Sequence, residues 1–192
     1  VDKLLHQWTA EYENGKSVII PMNWRGFNDV MDAWSRKSTN HDVPERCLRL
    51  LRARQRLAKY NKNLCPLPSQ YTKLINMLLK QGRLEDADEL LIAWIQDYNN
   101  NGNSVPEPHM FAFRMVMNAW SESEHESAPE RCIRLLKEME HLVEHSNGAI
   151  RAEPRAYSLV MKAFCNRGRM AEAEEILFGW CHEGNNDRRI TQ

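Results

Sequence analysis

Apolar residues recur along the chain at helical spacing, in pairs of stretches separated by short polar turns. From Phe27 come Val30, Met31 and Trp34, and from Tyr157 come Val160, Met161 and Phe164. A second stretch follows each first one: Leu84, Ala87, Leu90, Leu91 and Trp94 in one place, Cys47, Leu50, Leu51 and Leu57 in another. Gly82 and Gly168 come directly after "LLKQ" and "FCNR", where a helix is expected to stop in the left-handed conformation. Pro44 and Pro129 fall where the first turn of a helix tolerates proline, with Asp42 and Ser127 as the expected caps. Segments rich in Asn, Gly and Pro ("NNNGNSVPEP", "HSNGAIRAEP") close the units. Nothing in the pattern reads as a strand, so the expectation is a chain of helix-turn-helix units.

The units are copies. Shifted by 86 residues, Tyr71–Trp94 falls over Tyr157–Trp180, with the Gly-Arg pair, Ala87 over Ala173 and Leu91 over Leu177 in register. Trp8, Trp94 and Trp180 stand on one ladder, and "PERCLRLL" at Pro44–Leu51 returns as "PERCIRLL" at Pro129–Leu136. The aromatics Phe27, Tyr71, Phe113 and Tyr157 mark a half-period of 42 to 44 residues. Four repeats are therefore expected at residues 23–67, 68–108, 109–153 and 154–192. Residues 1–22 would be the second helix (about Asp2 to Glu13) and exit loop of a preceding repeat, and the chain an excerpt of a longer array. Units of this kind bury their apolar faces by stacking on their neighbours in one continuous core. Cys47 and Cys132 align with Ala87 and Ala173 in the intervening units, so the "PERC" thiol reads as a small packing residue. Cys165 reads as a small core hydrophobe, and the recurring tryptophans, Trp34 and Trp120 among them, read as packing.

The stretches "AYSLVMKAFCNRGRMAEAEEILFGW" and "QYTKLINMLLKQGRLEDADELLIAW" resemble the pentatricopeptide repeat. The repeats here are longer than that family's usual length of about 35 residues, the excess lying in the loops. The resemblance implies an all-α, right-handed α-solenoid of helix-turn-helix repeats. It also implies an organellar protein, of the mitochondrion or plastid, that holds single-stranded RNA in a concave groove at about one base per unit. Carried over residue by residue, the base-contacting candidates are Asn28, Thr72, Arg114 and Ser158, with His109 and Glu153 at the partner positions. Arg25, Phe111 and Arg155 become stacking or phosphate candidates. Arg114 departs from the family's preference, as does Leu67 at a partner position, which offers a base no side-chain hydrogen bond. The alternative is a scaffold that binds protein subunits of a large organellar assembly such as a ribosome.

Composition decides little between the two. Of 192 residues 42% are hydrophobic and 27% charged, and 26 Lys and Arg balance 26 Asp and Glu. A neutral chain has no global field to draw it to nucleic acid or an anionic membrane, so attraction must come from local patches. One is visible: Arg46, Arg49, Arg52, Arg54, Arg56, Lys59 and Lys62 make the second helix of the first full repeat basic. Within it Arg49, Arg52, Arg56 and Lys59 are the phosphate candidates, a solvated outer face being the other reading. The five cysteines form no C-x-x-C pair. His141-Leu142-Val143-Glu144-His145 matches the H-x-x-E-H string of some zinc proteases. It aligns with Arg56, Lys59 and Tyr60 of the other copy, and so reads as a decorated repeat helix. No phosphate-binding or nucleophile motif is present. A binding protein is expected, with no catalysis, cofactor, metal, membrane or small-molecule substrate.

Overall fold

The computed structural model describes residues 24–36, 41–59, 62–101, 104–145 and 153–189, with Ala10, Glu11 and Asn14. The helix expected over Asp2–Glu13 lies, apart from Ala10 and Glu11, outside these residues, and so does Trp8. The helices are α1 (Trp24–Ser35), α2 (Val43–Ala58), α3 (Pro68–Lys80), α4 (Leu84–Asn101), α5 (Met110–Glu122), α6 (Ala128–His145), α7 (Pro154–Cys165) and α8 (Met170–Arg189). A short 3₁₀ turn spans Lys62–Leu64, and no strand occurs among the described residues. The chain divides into two compact units, Val1–Ala112 and Phe113–Gln192, the boundary falling within α5.

In the first unit α1 packs on α2 and α3, α2 on α3, and α3 on α4. First helices of successive hairpins thus adjoin, with second helices beside them. Met31, Cys47, Leu50, Leu51, Leu57, Leu74, Ile75, Ala87, Leu91 and Trp94 are all buried. In the second unit α6 packs on α7 and α7 on α8. Its core takes Phe113, Val116, Met117, Trp120, Cys132, Leu135, Met139, Tyr157, Val160 and Phe164. Cys47 and Cys132 are fully buried, like Ala87, with Ala173 nearly so, as a small packing position requires.

The two glycine stops are alike in detail. Gly82 and Gly168 have φ of +72° and +68°. Arg83 N donates to Leu78 O at 3.0 Å and Gly82 N to Leu79 O at 3.0 Å; Arg169 N donates to Phe164 O at 3.1 Å and Gly168 N to Cys165 O at 3.0 Å. This paired i−5 and i−3 closure satisfies the last carbonyls of the helix, and it needs a left-handed residue at the turn.

Three expectations are corrected. Asp42 sits in the α-helical conformation (φ −76°, ψ −12°) and makes no side-chain cap. The Ser127 hydroxyl pairs with the His125 ring at 2.9 Å. Cys165 is exposed, because the buried stripe of α7 runs through Ala156, Tyr157, Leu159, Val160, Ala163 and Phe164 and leaves position 165 facing out.

The "PERC" and Gly-Arg signatures turn out to be one device. Arg83, directly after the glycine stop, reaches Glu45 in the first turn of α2 and Asp86 in the first turn of α4, both at 2.5 Å. Arg169 repeats this, pairing with Glu130 in the first turn of α6 and with Glu172 in the first turn of α8 at 2.8 Å. Each arginine therefore ties the starts of two successive second helices, where acidic groups also suit the helix dipole. A second repeated contact lies further along. The Tyr71 ring stacks on Trp94 at 4.2 Å, and Tyr157 stacks on Trp180 at 5.6 Å. The Tyr71 hydroxyl accepts from Gln55 Nε2 at 2.6 Å, and the Tyr157 hydroxyl donates to Glu140 at 2.5 Å.

Candidate nucleic-acid interface

Asn28 on α1 and Thr72 on α3 occupy the first-helix layer of the first unit, and both are half-buried. Asn28 Oδ1 accepts from Gln70 Nε2 at 2.6 Å. The Thr72 hydroxyl donates back to Ser69 O at 3.0 Å, which spends its proton on its own helix and leaves its lone pairs outward. At the entry to α5, His109 Nδ1 accepts from the Phe111 backbone N–H at 3.1 Å. A neutral His109 therefore carries its proton on Nε2. Phe111 keeps 47% of its surface exposed, so its ring remains accessible to a stacking base. Arg25 lies on α1, its side chain outside the described residues.

In the second unit the candidates meet each other. Arg114 Nη1 donates to Glu153 Oε2 at 2.9 Å, both side chains being partly exposed. The two residues expected to grip one base are thus joined as an ion pair, which a base would have to open. Ser158 and Arg155 are exposed on α7, the serine hydroxyl donating to Pro154 O at 3.0 Å.

The basic patch lies elsewhere. Arg49, Arg52, Arg56 and Lys59 are exposed on α2. Arg52, Arg56 and Lys59 line a groove of about 440 Å³ against Ala93, Asp97 and Asn101 of α4. That groove belongs to the second-helix layer, so the structure does not bring these cations together with Asn28 and Thr72. Nor does Arg54 join the patch. It is 1% exposed, because positions 47, 50, 51, 54, 57 and 58 form one buried stripe of α2. Its guanidinium donates to Leu64 O, Cys65 O and Gln70 Oε1 at 2.8, 2.8 and 2.9 Å. Burial pulls the Arg54 guanidinium down from its ordinary value, with a weaker opposing pull from Cys65. Gln70, also buried, was not singled out by the sequence. The signal was present all the same: Arg54 and Gln70 align with Met139 and Ala156 of the other copy, so two polar residues stand where the pattern is apolar.

Among the described residues no group of three His, Cys, Asp or Glu could hold a metal. The H-x-x-E-H string leaves His141 exposed, and the side chains of Glu144 and His145 lie outside the described residues. No helix of the described residues is long and apolar enough to cross a membrane.

Paired helices with a Gly-Arg stop, a buried small residue one turn into the second helix and polar side chains on the first define a helical-hairpin repeat protein. The PPR repeat model matches residues 71–97 and 155–185. Those two stretches match pentatricopeptide repeats, and every regular element among the described residues is a helix, the all-α arrangement such repeats imply. It is similar to the Small ribosomal subunit protein mL103 (rPPR7) of Arabidopsis thaliana, at 28% identity over 145 residues. The match covers 75% of this chain and 29% of that protein.

Proposed function

We propose that this segment binds single-stranded RNA within an organelle, mitochondrion or plastid, for RNA processing, stabilisation or translation. The bases would lie along the first helices of the repeats at residues 23–67, 68–108, 109–153 and 154–192. The observation that carries this reading is the set of polar side chains Asn28, Thr72 and Ser158 on α1, α3 and α7, at equivalent positions of the repeat, Thr72 and Ser158 lying within the stretches that match the pentatricopeptide repeat. Three such positions carry groups that can hydrogen-bond a base edge, while exposed Phe111 and Arg155 offer surfaces on which a base can stack. Binding of this kind is done by shape and hydrogen bonding, so no catalytic group or cofactor is called for.

The second reading is a scaffold subunit of a large organellar assembly such as a ribosome. It is favoured by the similarity to a small ribosomal subunit protein and by the Arg114–Glu153 pair, which ties up one of the four base positions. The two readings share a ligand if the RNA is ribosomal, and differ in whether RNA alone is enough. Filter binding of the 192-residue chain to a randomised single-stranded RNA at low salt tests the first. Retention that weakens when Arg25, Arg114 and Arg155 are changed to Glu supports it. No retention of any RNA at low salt sinks it, and assembly into a larger particle that survives the triple change favours the scaffold.

A further inference from the structure

Arg54 carries only donors, so everything it touches must accept. Its guanidinium donates to two backbone carbonyls, Leu64 O and Cys65 O, and to Gln70 Oε1. The Leu67 backbone N–H also donates to Gln70 Oε1, at 3.1 Å. Two donors converging on one atom fix which end of the Gln70 amide is oxygen. Its Nε2 must then donate, and it does so to Asn28 at 2.6 Å. An acceptor is needed there, so Asn28 turns its Oδ1 inward. Among the described residues its Nδ2 amino group has no partner, and the side chain is half-buried on the first-helix layer.

We infer that Arg54 and Gln70 are positioning residues that lock Asn28 with its amino group outward, as a hydrogen-bond donor to an acceptor on a base edge, a carbonyl oxygen or an unprotonated ring nitrogen. This rests on the RNA-binding reading. Thr72 and Ser158 hold hydroxyls, which can rotate to donate or accept. Asn28 is different, because reversing its amide would set its N–H pair against the N–H pair of Gln70. A base that offers an N–H to Asn28 leaves two donors face to face, and the desolvated groups unpaired. The second unit has no such lock: Met139, Ala156 and Arg114 stand at the three positions.

Gln70→Glu is the decisive variant. It keeps the shape and the bond to Arg54, gives Arg54 a carboxylate, and removes the donor toward Asn28. Asn28 then reverses, its amino group donating to the new carboxylate and its oxygen facing out. One readout needs no RNA: side-chain amide hydrogen exchange by NMR. In the native chain the Gln70 amino group exchanges slowly and that of Asn28 quickly, and in Gln70→Glu the Asn28 amino group becomes the slow one. The other readout is the base preference of the 192-residue chain after selection from a randomised 16-nucleotide single-stranded RNA. At one position the preference shifts from acceptor-presenting to donor-presenting bases, by roughly 3- to 10-fold, with the other positions unchanged. The double change Arg54→Met with Gln70→Ala, which installs the residues of the other copy, erases the preference at that position without reversing it. Unchanged Asn28 exchange in Gln70→Glu overturns the lock, and an unchanged preference overturns its role in base reading. If no RNA binds the native chain, the RNA reading falls, and the base-reading role with it, while exchange still decides the lock.

Discussion

Met139 and Ala156 in the second unit stand where the first has Arg54 and Gln70, and Arg114 stands where the first has Asn28. Around these three positions the units agree closely. Tyr71 and Tyr157 stack on Trp94 and Trp180, their hydroxyls meet Gln55 and Glu140, and Arg83 and Arg169 tie the same helix starts. The packing template was copied while the chemistry beneath the first-helix layer diverged as a set. In the first unit a buried cation organises two amides up to the surface. In the second the core at that place is apolar, and the surface residue draws its partner, Glu153, from the entry to the next helix. The surface of the first helix in the first unit is thus organised one layer down, by residues buried beneath it.

The comparison breaks most visibly at the aromatic stacks. Trp94 is 1% exposed, and its indole N–H donates to Pro106 O at 2.8 Å, whereas Trp180 is only half-buried. Trp94→Ala is expected to cost about 3–5 kcal/mol and Trp180→Ala about 1–2 kcal/mol, measured by urea unfolding of the chain. Equal losses would mean that the two stacks carry equal weight despite their exposure. The next effect is at the buried cation. Arg54→Met removes donors from two buried acceptors and a part-buried one and should cost about 2–4 kcal/mol. Met139→Leu, a volume-conserving change at the equivalent position, should cost less than about 1.5 kcal/mol. A neutral Arg54→Met would show the network to be dispensable for folding.

The smallest effects are at the arginine ties, whose charges are partly exposed and screened by salt. Arg83→Ala and Arg169→Ala should each lower the urea midpoint slightly at low ionic strength and leave it unchanged in 1 M salt. Acid sharpens this in the second unit. The hydrogen bond from Arg169 holds the Glu130 carboxyl below the usual range, against a small opposing effect of burial. A carboxyl depressed in the folded state contributes stability above its unfolded pKa of about 4.3 and loses it as pH falls through the folded value. Glu130→Gln should therefore flatten the acid limb of the stability profile below about pH 4, and an unaltered limb would rule out this pair as a contributor.

Much of the fold was legible because the 3.6-residue period, the glycine stops and the 86-residue echo all come from local constraints. The stripe through Cys47, Leu50, Leu51 and Leu57 even passes over position 54. There the arginine was grouped by its charge with the exposed basic patch, when its place on the helix put it in the core. Capping was less legible: Asp42 has the right side chain, but the helical conformation of its own backbone removes the geometry a cap needs. The candidate site was readable only through resemblance to a family. That Arg114 would find Glu153, 39 residues away, depends on how the intervening helices bring the entry of α7 beside α5, which no local spacing records.

The arginine ties have a mechanical side. Between the starts of successive second helices the connection is a partly exposed ion pair; within each hairpin the first and second helices are joined by a stack of aromatic rings, dry in the first unit. Salt weakens the first and hardly touches the second. Added salt therefore acts on the joint between neighbouring hairpins and spares the joint within each hairpin.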